Sequence, residues 1–264
     1  MAAQLDFVAH IRTESARFAA CLASADRAQR VAACPDWNAA DLLWHLTEVQ
    51  LFWGTIVRDR LDDPSAAEAA KPARPDDFDA LLALFDDASG ALLDAVTTTP
   101  GETEVWTWAN DHRVSFVRRR QAHEALIHRL DAEILLGDRT GFDPELASDG
   151  VDEVLRIMHG DLPSWATFTP DGVVGAAETT DTHARWLLVL GRFAGTSPNT
   201  GNQYDMDSLV VDDAPGQAPS FTVRAGAGDL DAWLWGRPPV EAVDIEGDRT
   251  AFGRLEQIVN RGID

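Results

Sequence analysis

The stretch QAHEALIHRLD, residues 121–131, places two histidines and two carboxylates among apolar residues at helical spacing. It lies within a run from Val114 to Leu136 that we predict to be one helix, because Gly137 follows as a helix-ending residue. A charged side chain on a core helix is costly unless it is paired or bound to a metal. The stretch therefore indicates a helical fold and a chemical site within the same segment.

Three upstream segments show the same helical periodicity of apolar residues. A first helix covers the apolar positions between residues 5 and 22, and a third runs from about residue 78 to residue 96. The second, about residues 39–60, has Asn38 as its N-cap and Asp41 in the position of a capping box. Four amphipathic helices in about 140 residues predict a four-helix bundle. The small-residue segment 62–77 is predicted to be a loop.

The second half of the chain has a different pattern. Strand-like runs alternate with helical stretches, which predicts a small α+β domain and places a domain boundary near residue 142. The predicted helices lie at about residues 145–159, 229–235 and 249–259, and the predicted strands at 173–179, 185–190, 220–224 and 240–245.

Composition excludes several classes of function. The 264 residues carry a formal net charge of −22, which repels nucleic acid and anionic membranes, so neither is expected as a partner. No apolar run is long enough for a transmembrane helix, and no secretory signal is expected. Two cysteines do not make a disulfide framework. We expect a cytoplasmic protein.

Helical geometry selects two candidate metal ligands from the opening stretch. Residues advance by about 100° along a helix, so Glu124 and His128 lie one turn apart on the same side. Asp131 lies on the same flank, where it is a candidate to orient His128 from the second shell. His123 is five residues from His128, about 140° around the helix, and cannot easily share one ion with it. We assign His123 to the core stripe or to the second shell.

A third ligand is expected from another helix. His45 lies within an apolar stripe of the second predicted helix, and facing helices of a bundle can bring such a residue to a Glu/His pair. Three protein ligands with one free position are typical of catalytic sites, whereas structural zinc sites usually have four. Imidazole and carboxylate suit Zn²⁺, and nickel, iron or manganese also accept these donors. The alternative is a buried ion network in which Arg129 neutralises Glu124.

A different kind of candidate lies near the C-terminus. The segment WLWGR, residues 233–237, predicts a helix that ends at Gly236 and presents Arg237 from a turn. A guanidinium there can bind a carboxylate through two hydrogen bonds. The alternative is an ordinary surface arginine. No glycine-rich loop that would hold phosphate is present in the sequence, which argues against a nucleotide enzyme.

Several of these segments together resemble one family. Residues 34–46, CPDWNAADLLWHL, resemble the second-helix signature of the mycothiol-dependent maleylpyruvate isomerase family, a branch of the DinB-like metalloenzymes. Residues 123–133, HEALIHRLDAE, are similar to its second signature. Residues 229–237 and 246–248 are similar to its C-terminal domain. The resemblance spans both halves of the chain, and the combination is more specific than any single motif.

The resemblance implies an α+β architecture of two domains. Residues 1–142 would form a DinB-like metal-binding four-helix bundle, and residues 143–264 a small C-terminal α+β domain of the maleylpyruvate isomerase type. Residues 195–219 depart from the family pattern, and we expect a long insertion or loop there. If this loop borders the cleft, the substrate could differ from that of the isomerase.

The resemblance also implies a site and a co-substrate. Zinc would be held by His45, Glu124 and His128, and Arg237 best matches the arginine that the family's C-terminal domain contributes to the active site. Mycothiol, the low-molecular-weight thiol of actinobacteria, would be the co-substrate. The oligomeric state is not predicted.

The expected reaction begins with a zinc-activated thiolate that attacks a small electrophile. If the adduct rotates and releases the thiol, the enzyme is an isomerase of the maleylpyruvate type; if the adduct is the product, it is an S-transferase. Arg237 would orient a substrate carboxylate or stabilise the developing enolate. Two alternatives stay open, namely a hydrolase in which zinc activates water, and a non-catalytic binding module.

Overall fold

The computed structural model describes residues 5–198, 200–238 and 243–261. The chain divides into two compact units, Met1–Thr140 and Gly141–Asp264. Within the described residues, no helix has both the length and the apolar character that crossing a membrane requires.

The first unit is built from four long helices and one short one. The long helices are α1 (Phe7–Leu22), α2 (Ala39–Asp59), α4 (Phe78–Thr98) and α5 (Val114–Leu136), and the short one is α3 (Ser65–Ala70). Helix α3 is a correction, because we predicted a loop over residues 62–77. Its six residues, SAAEAA, are good helix formers. They are too few for the apolar periodicity from which a helix is recognised.

Local signals set the ends of the helices that matter for the site. The Asn38 side chain accepts hydrogen bonds from the backbone of Ala40 and Asp41, and the Asp41 carboxylate accepts one from the backbone of Asn38, which confirms the predicted capping box. Helix α5 ends at Gly137, whose φ of 67° is a left-handed conformation that glycine adopts without strain. The start of α2 and the end of α5 therefore follow from the sequence.

The helices pack around apolar side chains. Helix α1 packs against α5, and α2 packs against α4 and α5. At Gly54 of α2 an added Cβ would lie 3.3 Å from the Cα of Leu92, so this glycine permits close approach of α2 and α4. The buried side chains of one core cluster are Phe18, Leu22, Leu42, Leu43, Leu46, Leu81 and Phe85.

The second unit contains a five-stranded sheet with helices that cover its buried side chains. The strands are β1 (Ala166–Thr179), β2 (Arg185–Thr196), β3 (Gln203–Val211), β4 (Phe221–Ala225) and β5 (Asp244–Gly247), in the order β3-β2-β1-β4-β5. Strands β1 and β4 are parallel, and the other neighbours are antiparallel. The helices are α6 (Pro144–Glu153), α7 (Ala227–Leu234) and α8 (Arg249–Val259), and a π-helical turn, Val154–Met158, follows α6.

Strand β3 corrects the prediction of a long loop over residues 195–219. It is an edge strand, and of its nine residues only Leu209 is fully buried. Polar side chains occupy most of the strand, and Arg192 of β2 binds Asp205 across the pair. An edge strand that faces water along most of its length shows no alternation of apolar and polar residues. The sequence therefore did not indicate a strand here. The start of the predicted strand 240–245, up to residue 242, lies outside the described residues.

Candidate metal centre

Helix α5 is buried along nearly its whole length, including its polar residues. Because α5 packs against both α1 and α2, the titratable side chains on it face protein rather than water. On α2, Leu42, Phe52 and Ile56 of the predicted apolar stripe are buried, and His45 of the same stripe is half-buried. The two helices thus bring the imidazole of α2 to the carboxylate and imidazole of α5.

His45, Glu124 and His128 form one group, here called the histidine cluster. Nε2 of His45 and Nε2 of His128 each lie 3.2 Å from Oε1 of Glu124. One candidate ligand atom from each residue lies within 4.8 Å of the others. The imidazole rings are 4.8 Å apart and nearly perpendicular. The cluster brings together one carboxylate oxygen and two imidazole nitrogens that can each be unprotonated. This donor set suits a divalent transition metal.

The histidine cluster is closed on one side and open on the other. The exposed fraction of the side chain is 30% for His45, 16% for Glu124 and 7% for His128. Access from solvent is therefore on the side of His45. The indole of Trp37 lies there, with its ring centre 4.7 Å from that of His45. We did not predict Trp37 as a site residue, although its position immediately before the N-cap of α2 was a usable signal.

Asp131 lies behind His128, as its spacing predicts. Its Oδ2 is 3.0 Å from Nδ1 of His128, and its side chain is fully buried. A carboxylate bound to the second nitrogen fixes the orientation of an imidazole and leaves its Nε2 directed at the other ligands. The role of Asp131 as a second-shell residue stays a prediction, and this geometry agrees with it.

The groups around Glu124 offset the cost of burying its charged carboxylate. Burial alone would raise the pKa of Glu124, but hydrogen bonds to His128 and His45, together with the positive charge of Arg120, lower it well below its usual range. Burial opposes protonation of His128, yet hydrogen bonds to Asp131 and Glu124 raise its pKa to about 9. A cation that binds here has to displace a proton from His128.

The arginine that pairs with Glu124 is Arg120, four residues earlier on α5. Its Nη2 donates to Oε2 of Glu124 at 2.8 Å. The alternative of an ion network through Arg129 does not apply to Glu124, because Arg129 pairs with Glu14 and Glu133. The spacing could have settled the choice, because residues four apart lie on one side of a helix and residues five apart do not.

Arg129 belongs to a second buried group, here called the arginine cluster, near the C-terminal end of α5. Arg129 donates to Glu14 and Glu133 at 2.8 Å, and Arg17 donates to the other oxygen of Glu133 at 2.8 Å. Thr140 donates to Glu133 through both its backbone and its hydroxyl. Each oxygen of Glu133 therefore has fixed donors.

The remaining predicted site residues lie elsewhere. His123 is buried on α5 and packs edge-on against Phe7, with the ring centres 6.0 Å apart; among the described residues the histidine cluster does not include it. Arg237 lies in the second unit, just after Gly236, whose φ of 71° forms the predicted helix-ending turn. Its Nη1 donates to the backbone oxygen of Trp235 at 2.7 Å. A catalytic role for Arg237 stays a prediction.

Known proteins resemble the chain over nearly its whole length. The family model described as "Mycothiol maleylpyruvate isomerase N-terminal domain" matches residues 8–133, and the "MDMPI C-terminal domain" model matches residues 145–254. No curated protein matches the chain. A crystal structure of the mycothiol-dependent maleylpyruvate isomerase is similar, with 16% identity and a TM-score of 0.59. A structure of its histidine-to-alanine mutant gives 15% identity and a TM-score of 0.61.

Each of these two structures covers 92% of this chain, and the chain covers 93% of each of them. At this level of identity, the structural likeness concerns the fold. It supports the α+β architecture read from the sequence.

Proposed function

Because the chain belongs to the mycothiol maleylpyruvate isomerase family, we propose that it is an isomerase that uses mycothiol and a bound zinc ion to act on a small electrophilic acid. The observation that carries the proposal is the histidine cluster, in which two imidazole nitrogens converge on one oxygen of a buried carboxylate. This donor set and its open side fit a three-ligand catalytic site better than a four-ligand structural one.

Each residue of the site has a defined task in this proposal. His45, Glu124 and His128 hold the ion, and Asp131 keeps the Nε2 of His128 directed at it. When bound, zinc lowers the pKa of a thiol ligand, so that the thiolate forms near neutral pH. The indole of Trp37 forms an apolar wall beside the solvent-exposed edge of His45 and limits the approach of water.

Arg237 is assigned to the substrate. A guanidinium presented from a turn can hold a carboxylate through two hydrogen bonds and stabilise negative charge that develops next to it. The formal net charge of −22 makes such a local cation necessary for an anionic substrate. In this assignment Arg237 binds the substrate, whereas the histidine cluster holds the ion and its thiol.

A thiol co-substrate remains in its reduced form in a reducing compartment. Cys21 and Cys34 are both free thiols, as expected of a protein kept among low-molecular-weight thiols. We therefore retain a cytoplasmic location as part of the proposal, and the proposed use of mycothiol implies an actinobacterial source.

The proposal is tested by following maleylpyruvate by NMR with zinc-loaded protein, with and without mycothiol. We expect conversion to the trans isomer only when mycothiol is present, and no conversion by His45→Ala. Consumption of mycothiol in step with the electrophile would identify an S-transferase instead. Turnover that does not depend on thiol would identify a hydrolase, and full activity of metal-free protein would remove the metal from the reaction.

A further inference from the structure

The two oxygens of the Glu124 carboxylate have different partners. Oε1 lies 3.2 Å from Nε2 of His45 and 3.2 Å from Nε2 of His128, which places it where a shared ion would bind. Oε2 points the other way and accepts a hydrogen bond from Nη2 of Arg120 at 2.8 Å. One oxygen is thus available for a metal, and the other is already held by a guanidinium.

Arg120 is placed to hold this oxygen firmly. Its side chain is only 4% exposed, and it lies one helical turn before Glu124 on the same side of α5. A charged donor to a carboxylate makes a short and strong hydrogen bond, and burial removes the competition of water. Rotation of Glu124 to present both oxygens to an ion would break this bond and leave a buried guanidinium without that partner.

We propose that Arg120 is a positioning residue that restricts Glu124 to binding the metal through one oxygen. The inference rests on the proposed metal site and deepens it. With His45, His128 and a single oxygen of Glu124 as ligands, a tetrahedral ion keeps one position for the thiol. A carboxylate that bound through both oxygens would occupy that position and compete with the thiol.

The same helix offers a matched comparison. Arg129 and Glu133 have the same four-residue spacing and the same 2.8 Å separation, and both are buried. Their carboxylate, however, accepts from Arg17, Arg129 and Thr140 and belongs to the arginine cluster. Substitution of Arg129 therefore removes an equivalent ion pair of α5 without touching the histidine cluster.

Cobalt in place of zinc reports the coordination directly, because four-coordinate Co²⁺ absorbs visible light more strongly than five-coordinate Co²⁺. We would compare the spectra of Co²⁺-loaded wild type, Arg120→Gln and Arg129→Gln, with folding checked by circular dichroism. In Arg120→Gln the bands should weaken several-fold per cobalt. Arg129→Gln should keep the wild-type spectrum even if its melting temperature drops.

Titration of mycothiol into the same samples supplies a second readout. Thiolate binding to Co²⁺ gives a charge-transfer band in the near ultraviolet, and half-saturation should need more mycothiol in Arg120→Gln than in wild type. A wild-type spectrum and wild-type thiol titration in folded Arg120→Gln would overturn the inference while the metal site stands. Failure of wild type to take up cobalt or zinc would overturn the metal site itself.

Two further measurements apply if Arg129→Gln or Arg120→Gln does not fold. Arg118→Gln, which removes hydrogen bonds to the carbonyl groups of Val96 and Thr99, replaces Arg129→Gln as the control. For Arg120, X-ray absorption of zinc-loaded wild type distinguishes one bound carboxylate oxygen from two without any substitution. One bound oxygen is expected, and two would overturn the inference.

Discussion

Helix α5 carries two buried ionic clusters that begin from the same sequence pattern, an arginine followed four residues later by a glutamate. In the arginine cluster, both oxygens of Glu133 are taken by Arg17, Arg129 and Thr140. In the histidine cluster, one oxygen of Glu124 faces two imidazoles instead. The first is saturated by fixed donors, and the second keeps donor atoms that a metal can use.

The difference teaches that burial of charge does not by itself identify a functional site. A guanidinium stays charged and cannot coordinate a metal, so the arginines of the arginine cluster offer no ligand to a cation. An imidazole can lose its proton and become a ligand. The two clusters of α5 therefore differ in which side chains face the glutamate, imidazoles in one and guanidinium groups in the other.

The largest expected effect is on catalysis. His128→Ala removes a ligand and the partner of Asp131, and we expect maleylpyruvate turnover with mycothiol to fall to the uncatalysed background. Glu14→Gln, which removes a carboxylate from the arginine cluster, should keep the turnover per folded molecule. Comparable losses of activity in the two folded variants would erase the distinction between the clusters.

For stability, we expect the larger effect from substitution in the arginine cluster. Arg129→Ala removes a buried cation that pairs with Glu14 and Glu133, and loss of one partner of a buried pair costs about 3–5 kcal/mol. We expect the free energy of unfolding in urea to fall by that amount, while the folded fraction binds zinc with wild-type stoichiometry. A loss of zinc from folded Arg129→Ala would mean that the two clusters are coupled.

A smaller effect is expected from the carboxylate behind His128. Asp131→Asn keeps the shape of the side chain but removes its charge, and such changes lower metal affinity by about 10–100-fold. Competition with a chromophoric zinc chelator measures the change. Asp138→Asn, at an exposed partner of Arg17, is the matched control and should leave the affinity unchanged.

The smallest effect concerns His159, a half-buried histidine that has no carboxylate partner among the described residues. Burial and the nearby positive charge of Arg261 lower the pKa of His159 to about 4, whereas the carboxylates around His128 raise its pKa to about 9. Because the folded state favours neutral His159, its contribution to stability is complete above pH 6.5 and is lost as the pH falls towards 4. Loss of this contribution should lower the melting temperature of wild type more steeply than that of His159→Gln over this range. Parallel curves of melting temperature against pH would show that His159 does not titrate in this pH range.

The sequence predicted most of the helical unit because its signals are local. Apolar periodicity located the four long helices, the Asn38 capping box fixed the start of α2, and Gly137 ended α5. Spacing also selected Glu124 and His128 as neighbours and placed Asp131 beside His128. These relations depend only on the geometry of one helix.

What the sequence did not predict depends on packing between elements. Strand β3 has little apolar alternation because it is an edge strand, so it was taken for a loop. Trp37 borders the histidine cluster through the contact of its indole with the ring of His45, and this contact depends on how the loop packs against α2. The pairing of Arg120 with Glu124, by contrast, was accessible from spacing alone, because residues four apart lie on the same side of a helix.

The central claim is that the histidine cluster binds a metal and the arginine cluster does not. Elemental mass spectrometry of purified wild type, His45→Ala and Arg129→Gln, after supply of zinc, tests it most directly. We expect one zinc ion per chain in wild type and in folded Arg129→Gln, and none in His45→Ala. Wild-type protein without bound metal, or His45→Ala with a full equivalent of zinc, would show that the histidine cluster is not a metal site.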